Sequence, residues 1–382
     1  MPQRSAVSPL GGTHSRALNI LALVTDAYGG HGGIAKQSRD VLEAMCADPD
    51  VARVVALPRA ADHPLQPMPD KLVFDTAAAG GMMRYVAAMM RHLVAGPKFD
   101  LIYCAHLNLL PLARIAARLS RAPSVACLHG LEAWTPHKRG WSRHAARNTD
   151  LVMSVSQLTL DRFRQWCPVP LDRCVVVPNA VDLGDFAMTA RDEALAQRLG
   201  LAGRTVIMTL GRMDAGEQAK GFDRVIAALP RVMRQQPDIA YLIVGRGDDR
   251  PRLEALAAAN GVADRVVFAG EIAEADKVAY YNLADAYVMP SVAEGFGLVF
   301  LEALACGLPC VASDFDGGRE ALREGKYGQL IDPFDADALE GAILKAVATP
   351  RGVPADLDYF GVANFRPRIA AMLRQALSLP RN

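Results

Sequence analysis

The sequence predicts an α/β protein built as two doubly wound domains that face each other across a cleft, and three observations carry that expectation. The chain has 382 residues, too many for one ordinary core and about right for two domains of roughly 150–200 residues each. Short apolar, β-branched runs alternate with longer stretches of helical period, which is the pattern of βαβ units and parallel sheets. The alternation occurs twice. Between its two halves lies Pro178-Asn179-Ala180-Val181-Asp182, where a proline ends one strand and turn formers follow, and the hinge is placed there.

In the first half, residues 17–25, 51–57, 101–104, 124–128, 151–154 and 174–177 read as strands, with helical segments between them such as 34–46 and 109–119. After the hinge and a short helical stretch at 193–199, strands are expected at 205–210, 240–244, 266–268, 286–289 and 309–312. Helices are expected near 222–234, 250–260, 275–283 and 298–305. Beyond Ala348 the chain turns Pro- and Gly-rich and then resumes as a helix over 368–377. The domains are expected at 1–178 and 179–362, with 363–382 carrying a last helix that packs back on the first domain. No short-period repeat is present.

Hydrophobic residues make up 51% of the chain and charged residues 22%, as in soluble globular proteins. The longest apolar runs, 19–25 and 286–290, fall far short of the ~20 residues of a membrane-spanning helix. Residues 1–14 are rich in Ser, Gly and Pro without an apolar stretch, which predicts a loose tail and not a secretory signal. Seven cysteines, an odd number with no C-x-x-C pair, predict free thiols and a reducing, cytoplasmic setting. The net charge of +1 hides a split: residues 1–177 carry 20 Lys and Arg against 13 Asp and Glu, net +7, while the remainder is net −6. A basic first half suggests an anionic partner, such as a phosphorylated acceptor or a lipid surface; an indifferent surface bias is the competing reading.

The most informative stretch is Glu294-Gly295-Phe296-Gly297-Leu298-Val299-Phe300-Leu301-Glu302, expected as a glycine-containing loop followed by a helix. Unpaired N–H groups and the helix dipole at such a start favour a phosphate. Glu294 suits sugar hydroxyls and Glu302 a ribose, so the arrangement fits a nucleotide sugar; ordinary helix-end acids are the plain alternative. Gly211-Arg212 and Lys220-Gly221 lie at a strand end and a helix start. Together the two cations would neutralise a diphosphate without a metal, and no His, Cys, Asp and Glu set of metal-ligand type stands out. Farther back, Arg139, Arg143 and Arg147 recur every four residues beside Lys138, Trp134 and Trp141, which on a helix makes a basic face for an anionic membrane surface or simply a solvated one.

With Leu242-Ile243-Val244-Gly245-Arg246-Gly247, Val267-Phe268-Ala269-Gly270, Pro290-Ser291 and Gly307-Leu308-Pro309, these motifs make the second half resemble glycosyltransferase family four, the retaining group with the GT-B fold of two Rossmann-like domains. In the first half the resemblance rests on Gly29-Gly30-His31-Gly32-Gly33-Ile34, His129-Gly130 and the hinge motif. It implies a transferase using a nucleotide diphosphate sugar and a saccharide or lipid-linked acceptor, with no metal or other cofactor and no nucleic acid. Peripheral attachment to the cytoplasmic face of a membrane is expected; no oligomeric state is specified.

Residue by residue, the resemblance makes Arg212 and Lys220 the diphosphate clamp and leaving-group stabilisers, Glu294 the sugar ligand and Glu302 the ribose ligand. Backbone amides from Phe296 through Gly297 and Leu298 to Val299 would hold sugar and phosphates, with Gly211 beside them. Gly270, Glu271 and Ile272 would lie along the base with Arg246 and Gly247 close by; His129 would sit beside the reacting sugar, and Gly32 and Gly33 would approach the phosphates on closure. Asp26 and Lys36 are the acceptor-side candidates, Asp26 with a turn role as its alternative. One departure from the family pattern is the long segment 213–219 between Arg212 and Lys220. A sugar-nucleotide epimerase and a silent binding protein of the same architecture are the competing classes.

Overall fold

The computed structural model describes residues 17–136, 138–216 and 218–380. The expected tail at 1–14, His137 in the basic stretch and Glu217 in the long segment lie outside the described residues.

The first domain runs β1 (Leu18–Val24), α1 (Gly33–Ala47), β2 (Val51–Pro58), β3 (Leu72–Phe74), α2 (Met82–Ala95), β4 (Leu101–Cys104), α3 (Leu110–Ser120), β5 (Ser124–Leu128), α4 (Leu131–Trp134), α5 (Gly140–Arg147), β6 (Leu151–Ser154), α6 (Gln157–Trp166) and β7 (Cys174–Val176). Its seven strands are all parallel, in the order β3-β2-β1-β4-β5-β6-β7. The strands are mostly apolar because helices cover both faces. One face packs α1 against the sheet through Val41, Leu42 and Met45; the other packs Tyr85 and Met89 of α2, Ala113 of α3 and Phe163 of α6.

The second domain runs α7 (Glu193–Arg198), β8 (Thr205–Leu210), α8 (Phe222–Val232), β9 (Ile239–Val244), α9 (Arg250–Ala259), β10 (Val266–Gly270), α10 (Lys277–Leu283), β11 (Ala286–Met289), α11 (Leu298–Ala305), β12 (Cys310–Ser313), α12 (Gly318–Ala321), β13 (Gly328–Ile331) and α13 (Ala336–Ala348). Its parallel sheet has the order β10-β9-β8-β11-β12-β13. Strands β3 and β13 are additions to the expected set.

The last helix, α14 (Val362–Ser378), starts six residues before the expected position 368 and carries Pro367 inside it. Phe365, Ile369, Met372, Leu373 and Ala376 of α14 are buried in the first domain's core beside α1. Phe365 therefore anchors the turns ahead of the proline that sequence reading left outside the helix. The chain crosses between domains twice, side by side: the Val181 N–H donates to Phe360 O at 2.9 Å, and Val181 bridges Gly361.

The strand order reverses once in each sheet, between β1 and β4 and between β8 and β11. Crevices at the carboxyl ends of strands open at such switch points. The loops after β8 and β11 carry Arg212 and Glu294, and the loops after β1, β4 and β5 carry Asp26, Ala105 and His129.

Candidate active site at the domain boundary

The Glu294 loop is held by its glycines. Gly297 caps α11 at φ 89°, ψ 61°, a left-handed conformation that favours glycine, and no side chain caps the helix. The Phe300 N–H turns back to Gly297 O at 3.0 Å. The N–H groups of Gly297, Leu298 and Val299 are the donors that a helix start leaves without intrahelical partners. The Phe296 side chain is buried against Phe360, with ring centroids 5.7 Å apart, so what this residue offers the cleft is main chain.

Lys220 lies in the turn before α8, its stem packed on Gly211, where a Cβ would sit 3.5 Å from Lys220 Cε. Its ammonium pairs with Glu294 Oε2, so two sequence-predicted residues 74 positions apart meet. Arg212 is exposed and lines one small cavity together with Lys220, Asp214, Asp223 and Arg252. The loop after β9 is packed directly on this turn: a Cβ at Gly245 would lie 2.1 Å from Gly211 O, and one at Gly247 1.8 Å from Met213 O. Space above Gly247 is thus filled by backbone. Arg246 reaches Glu271 at 3.1 Å, with both side chains exposed; such a pair contributes ~0–1 kcal/mol. Ile272 is half-buried against the second domain's core.

Glu302 is 1% exposed. The Tyr281 hydroxyl donates to its Oε2 at 2.8 Å, and Lys277 Nζ lies 3.4 Å from Oε1. Burial raises the Glu302 pKa above the usual carboxylate value, the Lys277 charge and the Tyr281 hydroxyl oppose the rise, and the neighbouring Glu274 adds to it. Lys277 and Tyr281 were missed by sequence reading. The available signal was α11 itself, LVFLEALA, in which one carboxylate sits among apolar residues on every face and so has to be buried and paired.

Opposite stands the first domain. The His129 Nε2–H donates to Ala105 O at 2.5 Å, leaving Nδ1 as the ring's acceptor, and the His129 N–H donates to Glu132 Oε1 at 2.6 Å. Gly130, at φ 153°, brings its Cα so close to Gly295 that a Cβ there would stand 2.7 Å from Gly295 Cα. Ser156 Oγ donates to Gly295 O at 2.7 Å, the Gln157 and Leu158 N–H groups donate to the Glu320 carboxylate at 2.7 Å each, and Arg162 donates to Phe315 O at 2.9 Å. The His129 and Glu294 loops therefore touch, and the start of α6 is capped by a carboxylate of the other domain.

Gly32, at φ 93°, and Gly33 have no atom within 4 Å of where a Cβ would stand. Asp26 accepts from the Ala27 N–H at 2.6 Å and lies against Gly30; burial raises its pKa, and the neighbouring Asp62 adds to the rise. Lys36 is engaged with Asp40 at 2.9 Å.

A further residue missed by sequence reading is Asp316, which is fully buried and accepts from the Glu294 N–H at 2.8 Å and the Gly318 N–H at 3.0 Å.

Two Rossmann-like domains with paired Lys220 and Glu294 at a switch point, closed over by a histidine loop, define the architecture of a GT-B transferase. Residues 192–359 match the family described as glycosyl transferases group 1, and residues 31–185 match glycosyltransferase family 4. The chain is 34% identical over 291 residues to the GDP-mannose-dependent alpha-(1-6)-phosphatidylinositol monomannoside mannosyltransferase of Mycolicibacterium smegmatis, covering 71% of this chain and 73% of that protein. It is 33% identical over 310 residues to the phosphatidyl-myo-inositol mannosyltransferase of Mycobacterium leprae, covering 78% and 76%. Anabaena HepE in complex with UDP and glucose shares the fold, with a TM-score of 0.72 at 24% identity over 94% of this chain and 99% of that one. The chain belongs to glycosyltransferase family 4, and it is a glycosyltransferase.

Proposed function

We propose that the protein transfers a hexose from a nucleotide diphosphate sugar to a lipid-linked acceptor, with retention of anomeric configuration and without a metal. The observation that carries this is the Lys220–Glu294 pair beside the N–H groups of Gly297, Leu298 and Val299: one carboxylate for sugar hydroxyls, and donors and a cation for phosphate, brought together from the loops after β8 and β11. Arg212 and Lys220 stabilise the departing diphosphate while the acceptor hydroxyl attacks the same face of the sugar, and the diphosphate oxygen takes the acceptor's proton. Glu302, buried and held by Tyr281 and Lys277, takes the ribose by exchanging one of those contacts for a hydroxyl, His129 sits beside the reacting carbon, Gly32 and Gly33 face the phosphates, and Asp26 and Lys36 line the acceptor side.

GDP-mannose and a phosphatidylinositol-type acceptor are the first pair to test, because the mycobacterial relatives carry those names. An exposed basic face on α5 supports attachment to an anionic surface. Trp141 is 64% exposed beside Arg139, whose guanidinium lies 5.9 Å from the ring centroid; Arg143 and Arg147 share the exposed side of α5, while Ser142, Ala145 and Ala146 face inward. Met83 and Val94 of α2 and Leu119 of α3 are exposed as well. Among the described residues no helix is long and apolar enough to cross a membrane, so attachment through this face would be peripheral.

The test is transfer from a panel of nucleotide sugars to lipid acceptors, with product configuration read by NMR, for wild type and Glu294→Gln. The proposal expects an α-linked product from an α-donor and a loss of turnover in the variant. An isomerised nucleotide sugar formed from donor alone, with no transfer, would identify an epimerase.

A further inference from the structure

The turn Asp316-Gly317-Gly318 grips the main chain of the donor loop, while Lys220 pairs with its side chain. Asp316 accepts the Glu294 N–H, the Gly317 N–H donates to Glu294 O at 2.8 Å, and the Gly318 N–H donates to Asp316 Oδ1. The approach is close: a Cβ at Gly317 would stand 2.1 Å from Gly295 O, and one at Gly318 2.9 Å from Phe300 Cε2. Both main-chain groups of Glu294 are therefore fixed by residues 22 and 23 positions later in the chain, while its side chain is paired with Lys220.

We propose that Asp316 is a positioning residue for transfer, whose carboxylate clamps the Glu294 main chain so that the Glu294 side chain stays aimed at Lys220 and the cleft. The proposal rests on the assignment of Glu294 to the donor sugar. A buried carboxylate is an expensive way to satisfy two N–H groups that a backbone carbonyl or a serine would serve, and here it stands beside a second carboxylate. Burial, with the Glu294 charge adding to it, pushes the Asp316 pKa up to about 7. The groups facing Asp316 are Glu294 and Ser291 on the donor loop, the Gly318 N–H on its own turn, and Arg162 reaching from α6 of the first domain. The ionised form is acceptor-only and holds both N–H groups. Protonation turns one oxygen into a donor and loosens the clamp, so turnover falls as pH drops through about 7.

The experiment compares wild type, Asp316→Asn and Glu294→Gln in kcat against pH, in nucleotide affinity and in melting temperature. Asn keeps the shape but sets an NH2 against one of the two N–H groups. Because misplacing a reacting group by about 1 Å costs on the order of 10²-fold, the expected result for D316N is a kcat loss of that order. Nucleotide affinity should stay within about twofold of wild type, and the acidic limb of the profile should disappear. Should D316N not fold, Asp316→Ala, which removes the acceptor altogether, is read the same way. A D316N kcat within about threefold of wild type, an unchanged limb, or equal losses of kcat, affinity and melting temperature overturns the proposal. In that case an impaired E294Q leaves the Glu294 assignment standing, whereas an unimpaired E294Q removes that assignment as well.

Discussion

Replacing Lys277 by methionine keeps the aliphatic stem and deletes the charge that lies between Glu302 and the exposed Glu274, 3.4 and 2.8 Å away. Glu302 is 1% exposed and the Lys277 side chain 17%, so solvent screens the pair little. Breaking a buried pair by removing one partner costs about 3–5 kcal/mol. The Tyr281 hydroxyl still holds one oxygen, which places the cost near the lower end, ~3 kcal/mol. In a domain of this size 1 kcal/mol moves the melting temperature by roughly 2–4 °C, so a drop of about 6–12 °C is expected near pH 8.

The pH dependence follows from the direction of the shift. The Glu302 pKa is already raised in the folded state by burial, with Lys277 opposing, and losing Lys277 raises it further. A carboxyl with a raised folded pKa contributes stability that is present below its unfolded pKa and lost as pH rises through the folded one. The gap between wild type and K277M therefore widens from pH 5 to pH 8, because at low pH the carboxyl takes a proton and the missing partner no longer matters. Scanning calorimetry at pH 5, 6.5 and 8 reads this directly. A gap that stays constant with pH, or one below about 2 °C at pH 8, refutes the argument that Lys277 neutralises a buried charge.

Three other expectations follow. Arg212→Ala and Lys220→Ala should each lower kcat by about 10²–10³ while wild-type activity survives excess chelator; loss with EDTA restored by magnesium or manganese would reject the two-cation clamp. Gly295→Ala places a methyl 1.7 Å from His129 O, so it should hold the domains apart, enlarging the radius of gyration in X-ray scattering and lowering turnover more than tenfold with little change in melting temperature; unchanged scattering and turnover would mean that this contact does not govern closure. Wild type should co-sediment with anionic vesicles at low salt and release at high salt, and a triple Arg139, Arg143 and Arg147→Ala variant should bind less; equal partitioning of the two would leave the basic face merely solvated.

What the sequence made legible was set by pattern strength. Strands such as β1, whose residues 20–24 read ILALV, and β9, IAYLIV, are apolar runs of β-branched, aliphatic and aromatic residues, and the helices between them carry a 3.6-residue period, so both doubly wound domains could be read. Strand β3 has three residues after a proline-rich stretch, and β13, GQLI, opens on glycine and glutamine; neither run is long enough to show a period. The start of α14 was hidden by Pro367, which ordinarily ends a helix, until the burial of Phe365 in the other domain showed what holds the preceding turns. In the site, Glu294 and Lys220 were legible because glycines and strand ends mark such positions. Asp316 was not: Asp-Gly-Gly reads as a plain turn, and its meaning comes from lying against a residue 22 positions away.

The double crossing also has a consequence for how the protein is made. Helix α14 supplies part of the first domain's core, yet it leaves the ribosome only after the whole second domain has been synthesised. The usual order, in which the N-terminal unit folds first during translation, is therefore reversed: the second domain has its complete set of elements while the first still exposes the apolar patch that Phe365, Ile369, Met372 and Leu373 will cover. During that interval the nascent first domain presents a bare face to chaperones. Shortening the chain before Val362 should unfold the domain farther away in sequence and leave the adjacent one intact.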